Sequence, residues 1–389
     1  MNGAQEKMQT AGKKSGLPFF LAREPVILAL LFGLAVVSFL GVAGLSRLFH
    51  AQQDSLGNRW FTRGVADLNA KKFDPAVLEF HTALRYSRDN YSYQLNLAEA
   101  LIGLGRTSEA YSYLINLWEQ EPEDGLVNLA LARIAAQTGG TNQALRYYHN
   151  AIYATWPGDG EQQRRAARVE LIEYLLKINA KAQAQAELMA LAANLGDESA
   201  EQAHLGDLFL RSQDYQHALS AYQMTLKSDR HDRAALAGAG LAAYETGRYP
   251  LAQKYLQAAV AADPADVESA ARLKTTELVL QMDPFRMAFT SAHRNRNVLD
   301  AFATAGERLR ACGGASGSAG PVAAQPSLGD SWAEMKPRVT ERNLQRDPDL
   351  VQSVMDLVFT IERQTASTCG SPTGPDLALL LIAKLHEGN

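Results

Sequence analysis

Residues 236–264 read LAGAGLAAYETGRYPLAQKYLQAAVAADP. Gly240 lies in a first apolar run, Gly247 and Tyr249 flank a turn, and Ala252, Leu256 and Ala259 follow at helical spacing before Pro264. Ala218 stands 34 residues before Ala252, and the series runs back through Ala184, Ala144, Ala110 and Ala76, with four of five intervals equal to 34. A period of this length marks one supersecondary unit that cannot bury its apolar face alone. Copies must therefore stack, and stacking makes an extended surface rather than a catalytic pocket.

The other copies repeat the pattern in phase. The first has Trp60, Gly64, Phe73, Ala76, Phe80 and Ala83, and the second Leu97, Ala98, Gly105, Ala110, Leu114 and Pro122. The third has Leu131, Ala132, Gly139, Ala144, Tyr148 and Ala151, and the fifth Leu205, Gly206, Tyr215, Ala218 and Tyr222. From Trp60 to Pro264 the chain resembles the tetratricopeptide-repeat family, whose pattern has these residue types at these offsets. The resemblance implies an all-α fold: a right-handed α-solenoid of about six helix–turn–helix repeats over residues 54–264, with capping helices over 265–312.

Packing physics leads to the same unit. Small residues at Gly64, Ala98, Ala132, Gly206 and Gly240 let the first helix of a pair approach the second closely, and the alanine series serves that contact from the other side. Gly105, Gly139 and Gly247 suit the left-handed turn that ends a helix, and Pro122 and Pro264 stop the second helix. The fourth copy diverges (Leu171, Leu175, Ala184, Leu188), with Ile172 at the small position and six extra residues in its interval. Trp156-Pro-Gly-Asp-Gly160 opens that insertion, which predicts a longer loop or a lengthened helix; a mere surface loop is the leading reading, and a kink or break between two three-repeat blocks is the alternative.

Pro25 to Ser46 carries no charge. At about 1.5 Å per residue it spans roughly 33 Å, enough for a bilayer core. It reads as one transmembrane helix preceding the array, with lipid as its partner. The alternative is a cleavable signal peptide ending near Val42-Ala43-Gly44, although signal cores run only about 7–15 residues. Lys7, Lys13, Lys14 and Arg23 precede the span, and Arg47, Arg59 and Arg63 follow it. The positive-inside tendency then leaves a short tail, residues 1–24, in the cytoplasm. The array falls in the periplasm of a bacterial inner membrane.

Two cysteines, Cys312 and Cys369, lie beyond the repeats. In an oxidising compartment the pair invites a disulfide; the other reading is two unrelated buried thiols. Residues 313–330 read as a linker, and 331–389 as a small helical module. There Asp349 is expected to cap a helix bearing Leu350, Val354, Leu357, Val358 and Ile361, and Asp376 to cap a second helix from Leu377 to Ala383. Two such helices are too small to fold alone. They must dock on the array, on each other in a dimer, or on a partner.

No nucleophile elbow, phosphate loop, dinucleotide fingerprint or metal-type His/Cys spacing stands in the chain. Neither enzymatic activity nor a cofactor or metal is expected. A net charge of −4 argues against a general nucleic-acid binder. In repeats of this type the first helix of each pair lines a concave groove, so the resemblance assigns candidate partner-binding residues. Phe61, Val65 and Leu68 come from the first copy, Leu95, Glu99 and Ile102 from the second, and Leu129, Arg133 and Gln137 from the third. The fourth supplies Glu173 and Lys177, the fifth Asp207, Leu210 and Arg211, and the sixth Leu241, Tyr244 and Glu245. Phe61 and Val65 replace the Lys and Asn with which family members grip a C-terminal carboxylate. An amphipathic helix or extended apolar segment of another protein fits better. The expected role is a membrane-anchored scaffold for envelope proteins; a fixed subunit of a membrane complex and a chaperone-like holdase are the alternatives.

Overall fold

The computed structural model describes residues 23–195, 199–313 and 327–387. The tail with Lys7, Lys13 and Lys14, and residues 314–326 of the expected linker, lie outside the described residues; residues 328–330 are helical. Among those described there are eighteen helices and no strand. The chain divides into two compact units, one running up to Ala167 and the other from Arg168.

The first unit contains α1 (Arg23–Asn69), α2 (Phe73–Tyr86), α3 (Tyr91–Gly103), α4 (Thr107–Gln120), α5 (Gly125–Gln137), α6 (Thr141–Tyr153) and the start of α7 (Gly160–Lys177). After the rest of α7, the second unit continues through α8 (Lys181–Ala192), α9 (Ser199–Arg211), α10 (Tyr215–Ser228), α11 (Arg233–Glu245) and α12 (Tyr249–Ala262). It ends with α13 (Val267–Met282), α14 (Ser291–Gly313), α15 (Leu328–Met335), α16 (Glu341–Arg346), α17 (Pro348–Thr368) and α18 (Gly374–Leu385). The uncharged run and the first helix of the first repeat form one continuous helix of 47 residues.

The turn inside each pair repeats more faithfully than the sequence does. Lys71, Gly105, Gly139, Asn179, Gln213 and Gly247 all have positive φ, between 58° and 80°. They are spaced by 34, 34, 40, 34 and 34 residues, in step with the alanine series. At each, the next residue's N–H bonds back five residues, as from Arg106 to Leu101 O (2.9 Å) and from Ala180 to Leu175 O (2.8 Å). This is the six-to-one closure of a Schellman turn. The divergent fourth copy thus keeps its turn, with Asn179 where three other copies have glycine.

All six alanines of the series are fully buried. The small positions on the first helices are just as tight, against larger side chains of the second helices. A Cβ on Gly64 would come within 2.6 Å of the Phe80 ring, and one on Gly240 within 2.7 Å of Leu256.

Caps on the first helices follow the same period. The side chains of Asn90 and Asp124 cap α3 and α5, and those of Asp232 and Asp266 cap α11 and α13. Asp266 is again 34 residues after Asp232, so α13 begins in phase although the alanine series has ended. The inserted residues before the fourth copy form both a loop and a lengthened helix, α7 having 18 residues.

Residues after Pro264 build one core. Val279, Val298, Phe302, Val354, Val358, Leu379 and Ile382 are buried together, joining α13 and α14 to α17 and α18. The C-terminal helices therefore dock on this same chain. There are four of them, beginning with α15, where Ser327 and Asp330 form a capping box. Two caps differ from expectation. Asp347, not Asp349, caps α17, because Pro348 takes the first helical position, where its missing N–H is harmless. Thr373 precedes α18 and places Asp376 in its first turn. Cys312 at the end of α14 and Cys369 after α17 are joined, with Cα atoms 5.7 Å apart.

Inside this core Glu362 is fully buried, and neither carboxylate oxygen has a hydrogen-bond partner. Burial and the neighbouring Asp376 carboxylate raise its pKa to about 8, against the opposing pull of Arg308. The unfolded chain releases that proton near pH 4.5. Between these values the folded state holds a proton that the unfolded state has lost, so stability falls as pH rises through the window. We expect the unfolding free energy of the second unit, read from urea titrations, to fall from pH 5 to pH 9 by about 3 kcal/mol after allowance for solvent screening. Glu362→Gln should flatten that slope; an unchanged slope would mean another group carries it.

Candidate functional site

The stripe expected to meet a partner lies on the first helix of each pair. In the first unit it comprises Phe61, Val65 and Leu68 on α1, Leu95, Glu99 and Ile102 on α3, and Leu129, Arg133 and Gln137 on α5. Leu95 and Leu129 are only 5% and 6% exposed, so they pack between helices rather than face outward. Phe61 is half-buried, stacked on Tyr93 at 4.9 Å and tilted against Phe80 at 5.8 Å. It holds the first two repeats together as much as it offers a surface. Val65, Leu68, Ile102 and Arg133 are half-buried, and Gln137 is exposed. Burial raises the Glu99 pKa, and the Arg133 charge opposes that shift.

In the second unit the stripe is charged and internally paired. Arg211 grips Glu173 with two hydrogen bonds of 2.6 Å, tying the fourth repeat to the fifth. The pair holds the Glu173 carboxyl below its usual range. Asp207 is exposed and accepts a hydrogen bond from the buried Tyr222 hydroxyl. Lys177 and Glu245 are exposed, and Leu210 and Leu241 are half-buried. Tyr244 meets Tyr249 edge-on at 6.0 Å and packs on the core shared with α17 and α18. The last repeat is therefore partly covered by the chain's own C-terminal helices, which the repeat pattern could not foretell.

The two units share a recurrent pair of antiparallel helices, closed by one turn and sealed by one alanine. Family models described as tetratricopeptide repeat match residues 68–134 and 204–267. The chain carries tetratricopeptide repeats. Repeats of this family serve as protein-interaction scaffolds.

No curated protein matches the chain. Among solved structures, Pseudomonas aeruginosa pilF is 13% identical with a TM-score of 0.41, over 56% of this chain and 97% of that one. A tetratricopeptide-repeat protein from Parabacteroides merdae is 12% identical, with a TM-score of 0.31, over 85% and 99%. The TPR2AB domain of yeast Sti1, in a pHSP90 complex, is 21% identical with a TM-score of 0.28, over 65% and 92%. None of these likenesses carries an argument about the partner of this tetratricopeptide-repeat chain.

One surface escaped the sequence reading. Tyr91, Glu121, Glu123, Asp124 and Trp156 converge beside the inserted residues. Its signal was the Trp156-Pro-Gly-Asp-Gly160 segment, which alone among the inter-repeat joints breaks the period.

Proposed function

We propose that this chain is a membrane-anchored scaffold that holds envelope proteins through the first-helix stripe of its repeats. The observation that carries the reading is α1. From Ile27 to Leu45 its large apolar side chains are exposed all around the helix, with Phe32 and Phe39 each 72% exposed. A helix apolar on every face must be buried in protein or in lipid. Its length fits a bilayer core, and it runs into the first repeat without a break. The repeats are then held at the membrane surface rather than on a flexible tether. With the basic residues weighted before the span, the N-terminus lies in the cytoplasm and the repeats in the periplasm.

The occupant of the stripe is an amphipathic helix or an extended apolar segment. Val65, Leu68 and Ile102 offer partly exposed apolar surface beside the charge of Arg133, which suits a ligand with one apolar and one polar face. A photo-reactive residue at Gln137, in native membranes, should crosslink one dominant protein. Val65→Asp with Ile102→Asp should reduce that crosslink by about tenfold, because the apolar contacts at the centre carry most of the binding energy. A spread of unrelated unfolded proteins would point to a holdase instead. No crosslink would remove the stripe from consideration, and extraction of the chain by alkaline carbonate would remove the anchor.

A further inference from the structure

The insertion before the fourth copy builds a wall. Gly125 N donates to Thr155 O at 3.0 Å, and Thr155 N donates to Glu123 O at 3.0 Å, pinning the chain after α6 to the turn before α5. Trp156 follows. Its indole N–H donates to Ala151 O at 2.8 Å, and its ring lies where a Cβ on Gly125 would fall, 2.3 Å away. Only glycine at that position lets the indole seat. The inserted Trp-Pro is thereby fixed against the third repeat.

An open cleft of about 870 Å³ lies between this wall and the end of α4. Leu117, Leu126, Trp156 and Pro157 line its apolar sides, and its lining includes no lysine or arginine. Asp124 is already occupied, one oxygen accepting from Val127 N at 3.0 Å and the other from the Tyr91 hydroxyl at 2.5 Å. Glu121 and Glu123, at the same edge, are exposed and have no ion-pair partner among the described residues. The cleft thus combines an apolar trough with two uncompensated carboxylates. That combination matches a lysine or arginine side chain, whose methylene stem lies along apolar surface while its head stays charged.

We propose that this cleft binds a basic segment of a protein partner, with the stem of a Lys or Arg along Leu117, Leu126 and Pro157 and its cation at Glu121 and Glu123. The site shares no residue with the first-helix stripe, so it stands or falls independently of that reading. Phosphate-bearing ligands are repelled by the same carboxylates.

The test uses the full chain in detergent micelles and a fluorescent peptide alternating lysine and leucine, with a glutamate–leucine peptide as control. Carbodiimide should couple the lysine peptide to Glu121 or Glu123, located by mass spectrometry. Glu121→Gln with Glu123→Gln should weaken binding about tenfold, and raising salt should weaken it further. Glu119→Gln, a change at an exposed carboxylate outside the cleft, should leave binding unchanged. Gln at both positions is isosteric and surface-exposed, so folding is preserved; circular dichroism verifies this. Undiminished binding by the double variant, or coupling confined to other carboxylates, would overturn the proposal. So would competition by putrescine at concentrations equal to the peptide's, which would show a small-amine site instead.

Discussion

Replacing Tyr222 by alanine lowers the stability of the second unit by about 4 kcal/mol, read from urea denaturation of the full chain. Tyr222 is 1% exposed and among the largest fully buried side chains. Its ring is wedged between two first helices: a Cβ on Gly206 would lie 2.8 Å from it, and a Cβ on Gly238 2.4 Å. One side chain thus fills the space between the fifth and sixth repeats. Its removal leaves a cavity that two rigid helices cannot close. The hydroxyl contributes less. Tyr222→Phe should lose only about 1 kcal/mol, because the freed Asp207 carboxylate is exposed and regains water. Gly238→Ala should destabilise by about 2 kcal/mol through overpacking against that ring. In the Tyr222→Ala background the same change should be neutral or stabilising, since alanine is the better helix former. Additive effects would show that ring and glycine are not coupled.

The second large effect concerns the disulfide. Cys312→Ser with Cys369→Ser should destabilise the second unit by about 4 kcal/mol, as expected for closing a loop of this length in the unfolded chain. The bond links the end of α14 to the end of α17, 57 residues apart in sequence. The same end of α18 is otherwise held by polar contacts. Arg308 donates to Gly370 O at 2.7 Å and lies 3.9 Å from Asp376. At the far end of α18, His386 contacts Asp283 at 3.2 Å. Once the bond is lost, limited trypsin digestion should release the C-terminal helices before it attacks α9–α12. Equal urea midpoints with and without reductant would show that the apolar core alone holds these helices.

The repeats were legible because their determinants are local and periodic. Ala76 and its five counterparts are each fully buried, as a contact that tolerates only a small residue requires. Gly105, Gly139 and Gly247 adopt the left-handed turn that their lack of a Cβ suits. Asn179 is a residue that tolerates the left-handed region, whereas Lys71 and Gln213 adopt the same conformation without any such mark. There the packed helices on either side impose the turn and override the residue's own preference. The fourth copy looked more divergent in sequence than it is in structure, because Asn179 serves at its turn in glycine's place.

The first-helix stripe was less legible. Helical spacing places Leu95 and Leu129 on the same face as Ile102 and Gln137, but cannot tell which side chains the next repeat covers. Both leucines are buried between helices. The Glu173–Arg211 pair joins two stripe residues 38 positions apart, a separation at which no pattern in a single copy points.

By itself the sequence determined the repeat unit, its six copies, the all-helical class and the apolar run ahead of them, since each depends on spacing along the chain. Tertiary structure alone decided how the C-terminal helices dock, that Glu362 is sealed without a partner, and that an inserted Trp-Pro walls an acidic cleft. Those outcomes depend on which distant surfaces exclude water from one another, and periodicity within one strand of sequence carries no record of that.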